Sequence, residues 1–382
     1  MVVNLKYIRW VMYLVRLVFA SACLCVFMPL NAGGDDCWAW KHRMKVSFAG
    51  YIPPNGPETL TNFPALVVLD TSITGFSYSQ FRSKTGGDLR FQNSSENIAL
   101  NYEVEHWNTN GSSFIWVQMP LLSASSDYFW VYWGNADTNL PPCATNGSTW
   151  SSAYAGVWHL KENGFPYVDS TDTHYDGING VAPSYTNYGR IGPAQYFNGS
   201  SQQKIDIPYA SQLNTNIYTV SFWANVLGSN LTYRSPVTSR DDSPQRGYMF
   251  YADVTDKWGF WQGGTSGWSS VIGPGVSNGI WTYVAGTYNG TNMYLSVDGV
   301  SYGPVNMTQS LNTARPLRIG SGASEGAGAY WFNGMVDEVR VENIIRSSNW
   351  LWACMMSQGS NGVFNAYGKI ETRIRGTVIA IN

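Results

Sequence analysis

The sequence predicts an all-β protein made of two β-sandwich, jelly-roll-like domains, and three observations carry that expectation. Of 382 residues, 15% are aromatic and 39 are glycine, while only 13% are charged. That is the balance of aromatic strands joined by small-residue turns, not of helices with charged faces. Apolar residues alternate in period two over much of the chain, the mark of strands with one buried face. Asn-, Gly-, Ser- and Pro-rich stretches interrupt those runs at short intervals. Many short strands bury their apolar faces by packing sheet on sheet, and the length suffices for two such cores. The same numbers exclude other classes. With 17 Trp and 24 Tyr the chain is not a disordered one. With 23 Lys+Arg against 25 Asp+Glu it has no basic excess for phosphates, so no nucleic-acid partner is expected.

Residues 1–32 read as a secretory signal: Lys6, Arg9 and Arg16 in front, an apolar run Leu17–Met28, then Pro29-Leu30-Asn31-Ala32 as a cleavage region. The alternative is an uncleaved anchor. The expected location is therefore secreted or cell surface, with a mature chain beginning near Gly33 and no membrane contact beyond the signal segment. Cys37 and Cys143 flank the first domain and are placed to tie its ends in an oxidising compartment. Cys354, inside Trp350-Leu351-Trp352-Ala353-Cys354-Met355-Met356, reads as a buried thiol.

The first domain, 37–140, is expected to hold strands at Met44–Ile52, Ala65–Leu69, Leu89–Gln92, Leu100–Trp107, Phe114–Met119 and Tyr128–Trp133. A polar stretch with Pro141-Pro142 and Asn146-Gly147-Ser148 marks the boundary. Strands resume in a second domain, 153–358, at Gly156–Leu160, Ala194–Phe197, Lys204–Ile207, Tyr218–Val226, Tyr248–Asp253, Gly259–Trp261, Trp281–Thr287, Met293–Val297, Leu317–Ile319 and Met335–Val341. Asp298-Gly299 is a hairpin turn, and one helix is expected near Ser347–Met356. Residues 359–382 form a strand or tail. Within it Ile370, Thr372 and Ile374 share one face and Lys369, Glu371, Arg373 and Arg375 the other. Such a strand, surplus to the second domain, is expected to pair with an edge of the first; the alternative is a frayed terminus.

Segments of the second half resemble the concanavalin A-like, laminin G-like lectin domains. They include Tyr218-Thr219-Val220-Ser221-Phe222-Trp223, Trp281-Thr282-Tyr283-Val284-Ala285-Gly286-Thr287-Tyr288, Tyr294-Leu295-Ser296-Val297-Asp298-Gly299 and Phe332-Asn333-Gly334-Met335-Val336-Asp337-Glu338-Val339-Arg340. The resemblance implies a curved two-sheet concanavalin A-like lectin/glucanase sandwich. The first half resembles the domain-of-unknown-function 2341 family through Asp88-Leu89-Arg90-Phe91, Tyr102-Glu103-Val104-Glu105-His106-Trp107, Phe129-Trp130-Val131-Tyr132-Trp133-Gly134-Asn135 and the linking Gly156-Val157-Trp158-His159-Leu160. That match implies architecture and a surface context, not chemistry.

Three constellations bear on function. Asp169, Asp172 and Asp176 crowd one turn-rich loop, and hard cations favour such carboxylates. The loop resembles the structural calcium segment of laminin G-like domains, which implies Ca²⁺ as a structural cofactor, with Asp337 as a further ligand; otherwise it is a solvated turn with Asp capping its own backbone. An aromatic cluster, Tyr248, Phe250, Trp258, Phe260, Trp261 and Trp268, follows Arg240, Asp241 and Asp242. Flat rings beside polar groups suit sugars, so Arg240, Tyr248, Trp258 and Trp268 are the expected ligand-binding residues, the two tryptophans because they adjoin turns. Any one ring is otherwise a core residue. Glu103 and Glu105 stand two residues apart, on one face of a strand, as glycoside hydrolysis requires; the plainer reading is a polar outer face. Gly322-Ala323-Ser324-Glu325-Gly326 has nucleophile-elbow spacing without the strand–turn–helix context. The expected function is a non-catalytic binding protein whose partner is a carbohydrate. The alternatives are a cell-surface protein partner in a structural assembly and, last, a carbohydrate-active enzyme.

Overall fold

The computed structural model describes residues 39–228 and 231–373; the expected signal segment, Cys37 and the strand expected at Thr377–Ile381 lie outside the described residues. The first half forms β1 (His42–Ser47), β2 (Leu60–Leu69), β3 (Arg90–Asn93), β4 (Tyr102–His106), β5 (Ser113–Leu122) and β6 (Tyr128–Trp133). The second forms β7 (Tyr154–Trp158), β8 (Asn179–Val181), β9 (Ser184–Thr186), β10 (Ala194–Phe197), β11 (Lys204–Ile207), β12 (Tyr218–Val226), β13 (Val237–Asp242), β14 (Gln245–Ala252), β15 (Lys257–Gly264), β16 (Gly267–Gly275), β17 (Trp281–Tyr288), β18 (Asn292–Val297), β19 (Val300–Asn306), β20 (Leu317–Ile319) and β21 (Gly334–Glu342). The chain then makes helices α1 (Ser348–Gly359) and α2 (Asn361–Phe364) and a last strand β22 (Ala366–Thr372).

The first sandwich packs a four-stranded sheet, β22-β1-β6-β3, on a three-stranded one, β2-β5-β4. In β1 the period-two pattern puts Met44 and Val46 at zero exposure in the core. The returning tail is real: β22 pairs antiparallel with β1, Met44 opposite Ile370 and Val46 opposite Tyr367. It is tied by Arg43 to Glu371 (2.6 Å) and Arg373 to Glu96 (2.9 Å). The second half is a two-sheet sandwich with sheet orders β19-β18-β17-β12-β21-β10-β9, with β7 on β21, and β16-β15-β14-β13-β20-β11-β8. Val220, Phe222, Phe250, Phe260, Leu295 and Val339 fill its core. Asp298 (φ 47°) and Gly299 (φ 80°) make the hairpin turn between β18 and β19, both in the left-handed region that a two-residue turn of this hand demands.

The expected domain limits need one correction. Helix α1, placed by sequence inside the second domain, wedges between the two. Ser347 caps its start by accepting from Trp350 N (3.0 Å). Trp350 packs edge-on against Phe63 (5.4 Å between ring centres). Trp350, Leu351, Ala353 and Cys354 share one apolar cluster with Trp223 and Tyr283 of the second domain. A helix covered on two sides needs apolar residues around much of its circumference, so its pattern points to neither neighbour. Cys354 is the buried thiol the sequence predicts, 3% exposed, and burial pushes its pKa up to about 12. We expect iodoacetamide to leave Cys354 unmodified in the native protein and to label it fully in denaturant, read by peptide mass spectrometry; native labelling would contradict the packing of α1.

Candidate functional site

The seven-stranded sheet turns alternate side chains inward and outward. Along β14, Tyr248 and Phe250 point into the core while Met249 and Tyr251 point out; along β15, Trp258 and Phe260 point in and Trp261 out. Tyr248 and Trp258, expected to bind ligand, are therefore core residues, each 1% exposed. Proximity to a turn misled for Trp258, because strand parity and not turn position decides its face.

The other two expected ligand residues do meet on the outer face. Half-buried Trp268 donates from Nε1 to Asp242 (3.3 Å). The Arg240 guanidinium lies 5.5 Å from the Trp268 ring centre and 5.6 Å from that of Tyr330, and is anchored by Glu325 at 2.5 Å. Tyr233, Tyr251, Trp261 and Tyr330 continue the face. Tyr233 stands 4.8 Å from Tyr251, 5.7 Å from Tyr330 and 6.2 Å, perpendicular, from Trp261. Trp261 rests on the bare backbone of Gly259, where an added Cβ would come within 2.9 Å of its Nε1. A cleft of about 570 Å³ adjoins the face, walled by Tyr233, Tyr330, Trp331, Ser200 and Asn333. Sequence reasoning missed Tyr233 and Tyr330, which sit in loops without period; Trp261 was legible from parity with Phe260. The Gly322–Gly326 stretch is a loop, and its Ser324 Oγ accepts from Arg240 N (3.2 Å).

The acidic loop is built differently from the expected calcium site. Asp169 is fully buried, and its carboxylate accepts from Val157 N (2.8 Å), Thr171 N (3.0 Å), Thr171 Oγ1 (2.9 Å), Thr173 Oγ1 (3.1 Å) and Tyr175 N (2.9 Å). Those five donors occupy its lone pairs and make it the capping group of the loop. Asp176 accepts from Asp169 N (2.8 Å) and Asp172 is exposed. Asp337, the fourth expected ligand, accepts from Ile191 N (2.9 Å). Among the described residues these four aspartates do not converge on one point. The group that brings three ligand-type atoms within 4.8 Å of one another is Glu105, His159 and Glu338.

That group is the centre of the interface between the sandwiches. Glu103 and Glu105 of β4 face the second domain, not solvent. His159, 1% exposed, lies 2.6 Å from Glu338 through Nδ1, 3.6 Å from Glu105, and 3.5 Å from Glu103 through Nε2. Arg340 pairs with Glu338 (2.6 Å) and Lys161 with Glu103 (3.5 Å). Trp116 stacks on the imidazole (11° between planes) and donates to Glu105 (2.6 Å), and Trp150 donates to Glu103 (2.9 Å). Glu338 takes φ 55° where the β12–β21 register slips; the irregularity sends both Asp337 and Glu338 toward the interface instead of to opposite faces. Burial alone would push the imidazole pKa down, but Glu338, Glu103 and Glu105 carry it up to about 10. Burial raises Glu103, yet His159 and Lys161 hold it near about 2. Burial, then the charge of Glu338, push Glu105 and Asp337 well above the ordinary carboxylate range. The cluster is thus an imidazolium clamped by carboxylates across two domains, and Glu103 and Glu105 are engaged there instead of facing a sugar.

The fold is that of a two-domain β-sandwich protein whose second half is concanavalin A-like. Residues 198–351 match the concanavalin A-like lectin/glucanases superfamily, and residues 85–148 match the domain of unknown function 2341: the two families, in the order, that the sequence resembles. No curated protein matches the chain. Among solved structures it is similar to the binding domain of Paraclostridial mosquitocidal protein 1 (12% identity, TM-score 0.44), over 54% of this chain and 52% of that one. It is similar also to domain 4 of an extracellular arabinanase from Geobacillus stearothermophilus, in complex with arabinotriose (19%, TM-score 0.37, 52% and 96% covered). A third is the Trypanosoma rangeli sialidase in complex with sialic acid (14%, TM-score 0.44, 69% and 43% covered). The chain thus spans about half the length of the first and less of the third.

Proposed function

We propose that this chain is an exported, non-catalytic carbohydrate-binding protein that acts outside the cell or on its surface. The observation that carries the reading is the outer face of the seven-stranded sheet, where Trp268 and Tyr330 flank Arg240 and Tyr233 and Trp261 extend the aromatic surface, beside a cleft of about 570 Å³. Aromatic faces cover the apolar side of a sugar ring, while Arg240, Asp242, Glu325 and Asn333 meet its hydroxyls. The lectin superfamily match of the same domain supports the reading. Its paired carboxylates lie in the domain interface, which favours binding over hydrolysis. A glycan array with the purified chain tests it. Trp261→Ala and Tyr330→Ala are expected to weaken the bound glycan about 30-fold, the effect of a hot-spot aromatic worth about 2 kcal/mol. Binding to no glycan would move the assignment to a protein partner, and release of reducing sugar would move it to an enzyme.

A further inference from the structure

A second cleft, of about 580 Å³, opens between the domains, away from the aromatic face. One wall is the β4–β5 end of the first sandwich, with His106, Trp107, Asn108 and Phe114; the other is the β9–β10 loop, with Asn187, Arg190, Gly192 and Pro193. Gly192 has φ 62° and sits so close that an added Cβ would lie 3.3 Å from His106 Cβ, so glycine permits the two walls to meet. None of the wall residues is acidic.

Arg190, like the half-buried Arg246, pairs with no carboxylate within ion-pair distance among the described residues, unlike most arginines of the second domain. Arg234, Arg240, Arg318, Arg340 and Arg346 each hold a carboxylate. Arg190 instead lies over the Trp223 ring (4.9 Å) and donates from Nη2 to Gly359 O, and its Nε is buried without a partner. A guanidinium presents five donors in a fork suited to carboxylates, and here that fork is largely unfilled. The other groups point the same way. Trp107 Nε1 is a buried donor without a partner. Asn108 and Asn187 commit their Oδ1 atoms to Asn110 N and the Tyr185 hydroxyl, which leaves their amide NH₂ groups as donors. Asp298 and Asp337 lie close enough behind the loop to favour the charged guanidinium of Arg190, and burial pushes both carboxyls above the ordinary carboxylate range.

We propose that this interdomain cleft binds a carboxylated, hydroxylated ring, an acidic sugar. Its carboxylate pairs with Arg190 beside His106, its hydroxyls meet the Asn108 and Asn187 amides, and its apolar face lies on Phe114 and Pro193. The site is independent of the aromatic face, so either stands without the other.

The test is calorimetric titration of the full chain with glucuronate and with N-acetylneuraminate, each against its methyl ester, which keeps the ring and removes the charge. At least one acid is expected to bind about tenfold more tightly than its ester, the discrimination of one charge-assisted pair. Arg190→Gln is expected to abolish that preference. Because Arg190 also contacts Gly359, the exposed Asn187→Asp variant serves as a second probe: it adds a negative charge at the cleft and is expected to weaken the acid about tenfold with an unchanged melting temperature. Trp261→Ala should leave acid binding intact. Failure of both acids to bind, equal binding of acid and ester, or an Asn187→Asp variant that binds like the parent would overturn the assignment. Inorganic phosphate competing as well as the acids would overturn the sugar part by revealing a general anion site.

Discussion

A chain that stops at Asn365 is expected to lose protection throughout the first sandwich. Without β22, β1 becomes an edge strand and Met44 and Val46, now at zero exposure, lose the cover of Ile370 and Tyr367 opposite them. Tyr367 also reaches the second sheet, where its hydroxyl accepts from Val68 N (2.8 Å) and donates to Asn361 (2.8 Å). The ion pairs of Arg43 and Arg373 with Glu371 and Glu96 go with it, though pairs this exposed add little by themselves. Removing a half-buried aromatic and a full strand ladder costs about 3 kcal/mol. Hydrogen exchange should show Met44 and Val46 amides opening, while Val220 and Phe222 in β12 keep their protection. Unchanged exchange in β1 would show that the first sheet stands without its last strand.

His159→Ala is the second large effect. It removes the cation shared by Glu103, Glu105 and Glu338, leaving Lys161 with Glu103 and Arg340 with Glu338, and removing one partner of a buried ion pair costs about 3–5 kcal/mol. The parent should also carry a pH signature. The folded imidazole pKa, near about 10, exceeds its unfolded value of 6.5. Its contribution is therefore complete below pH 6.5 and drains away as pH rises toward 10. Glu105 and Asp337, also raised, begin to lose their contribution as soon as pH rises above the ordinary carboxylate range. Glu103 is lowered from 4.5 to about 2, so its contribution is complete above 4.5 and vanishes as pH falls through 2. Urea unfolding should thus give a stability that peaks near about pH 4.5 and falls as pH rises, with a slope above about pH 6.5 that His159→Ala flattens. A parent whose stability is level from neutral to alkaline pH would rule the clamp out.

What the sequence revealed follows the reach of its periodicities. Strands with one buried face announce themselves, and β22 carried the same alternation in Ile370 and Thr372, which its terminal position left open between a docked strand and a frayed end. The helix was visible but not its neighbours, since Trp350 and Cys354 are apolar toward both sandwiches. Glu103 and Glu105 read as an outer face because nothing local in β4 says that a second domain covers it; His159 and Glu338, their partners, lie far along the chain. Parity separates Trp261 from Trp258, whereas Tyr233 and Tyr330 have no parity to read. Asp169 sits in a loop of metal-like composition whose own amides and hydroxyls donate to its carboxylate, a partnership that composition alone does not reveal.

The pairing of β1 with β22 also sets an order of events for a chain made or exported from its N-terminus. His42 and Thr372 face each other across the sheet although 330 positions separate them, so the whole second sandwich is an insertion within the first. Closing so long a loop is entropically slow unless the intervening segment has already compacted. The second sandwich needs no strand from the first, so it is the unit that folds early, bringing the two ends of its neighbour within reach. Until then the apolar side of β1 waits without a partner on one flank. The domain synthesised first is the one completed last, and it is during that interval that the nascent protein is most exposed to self-association.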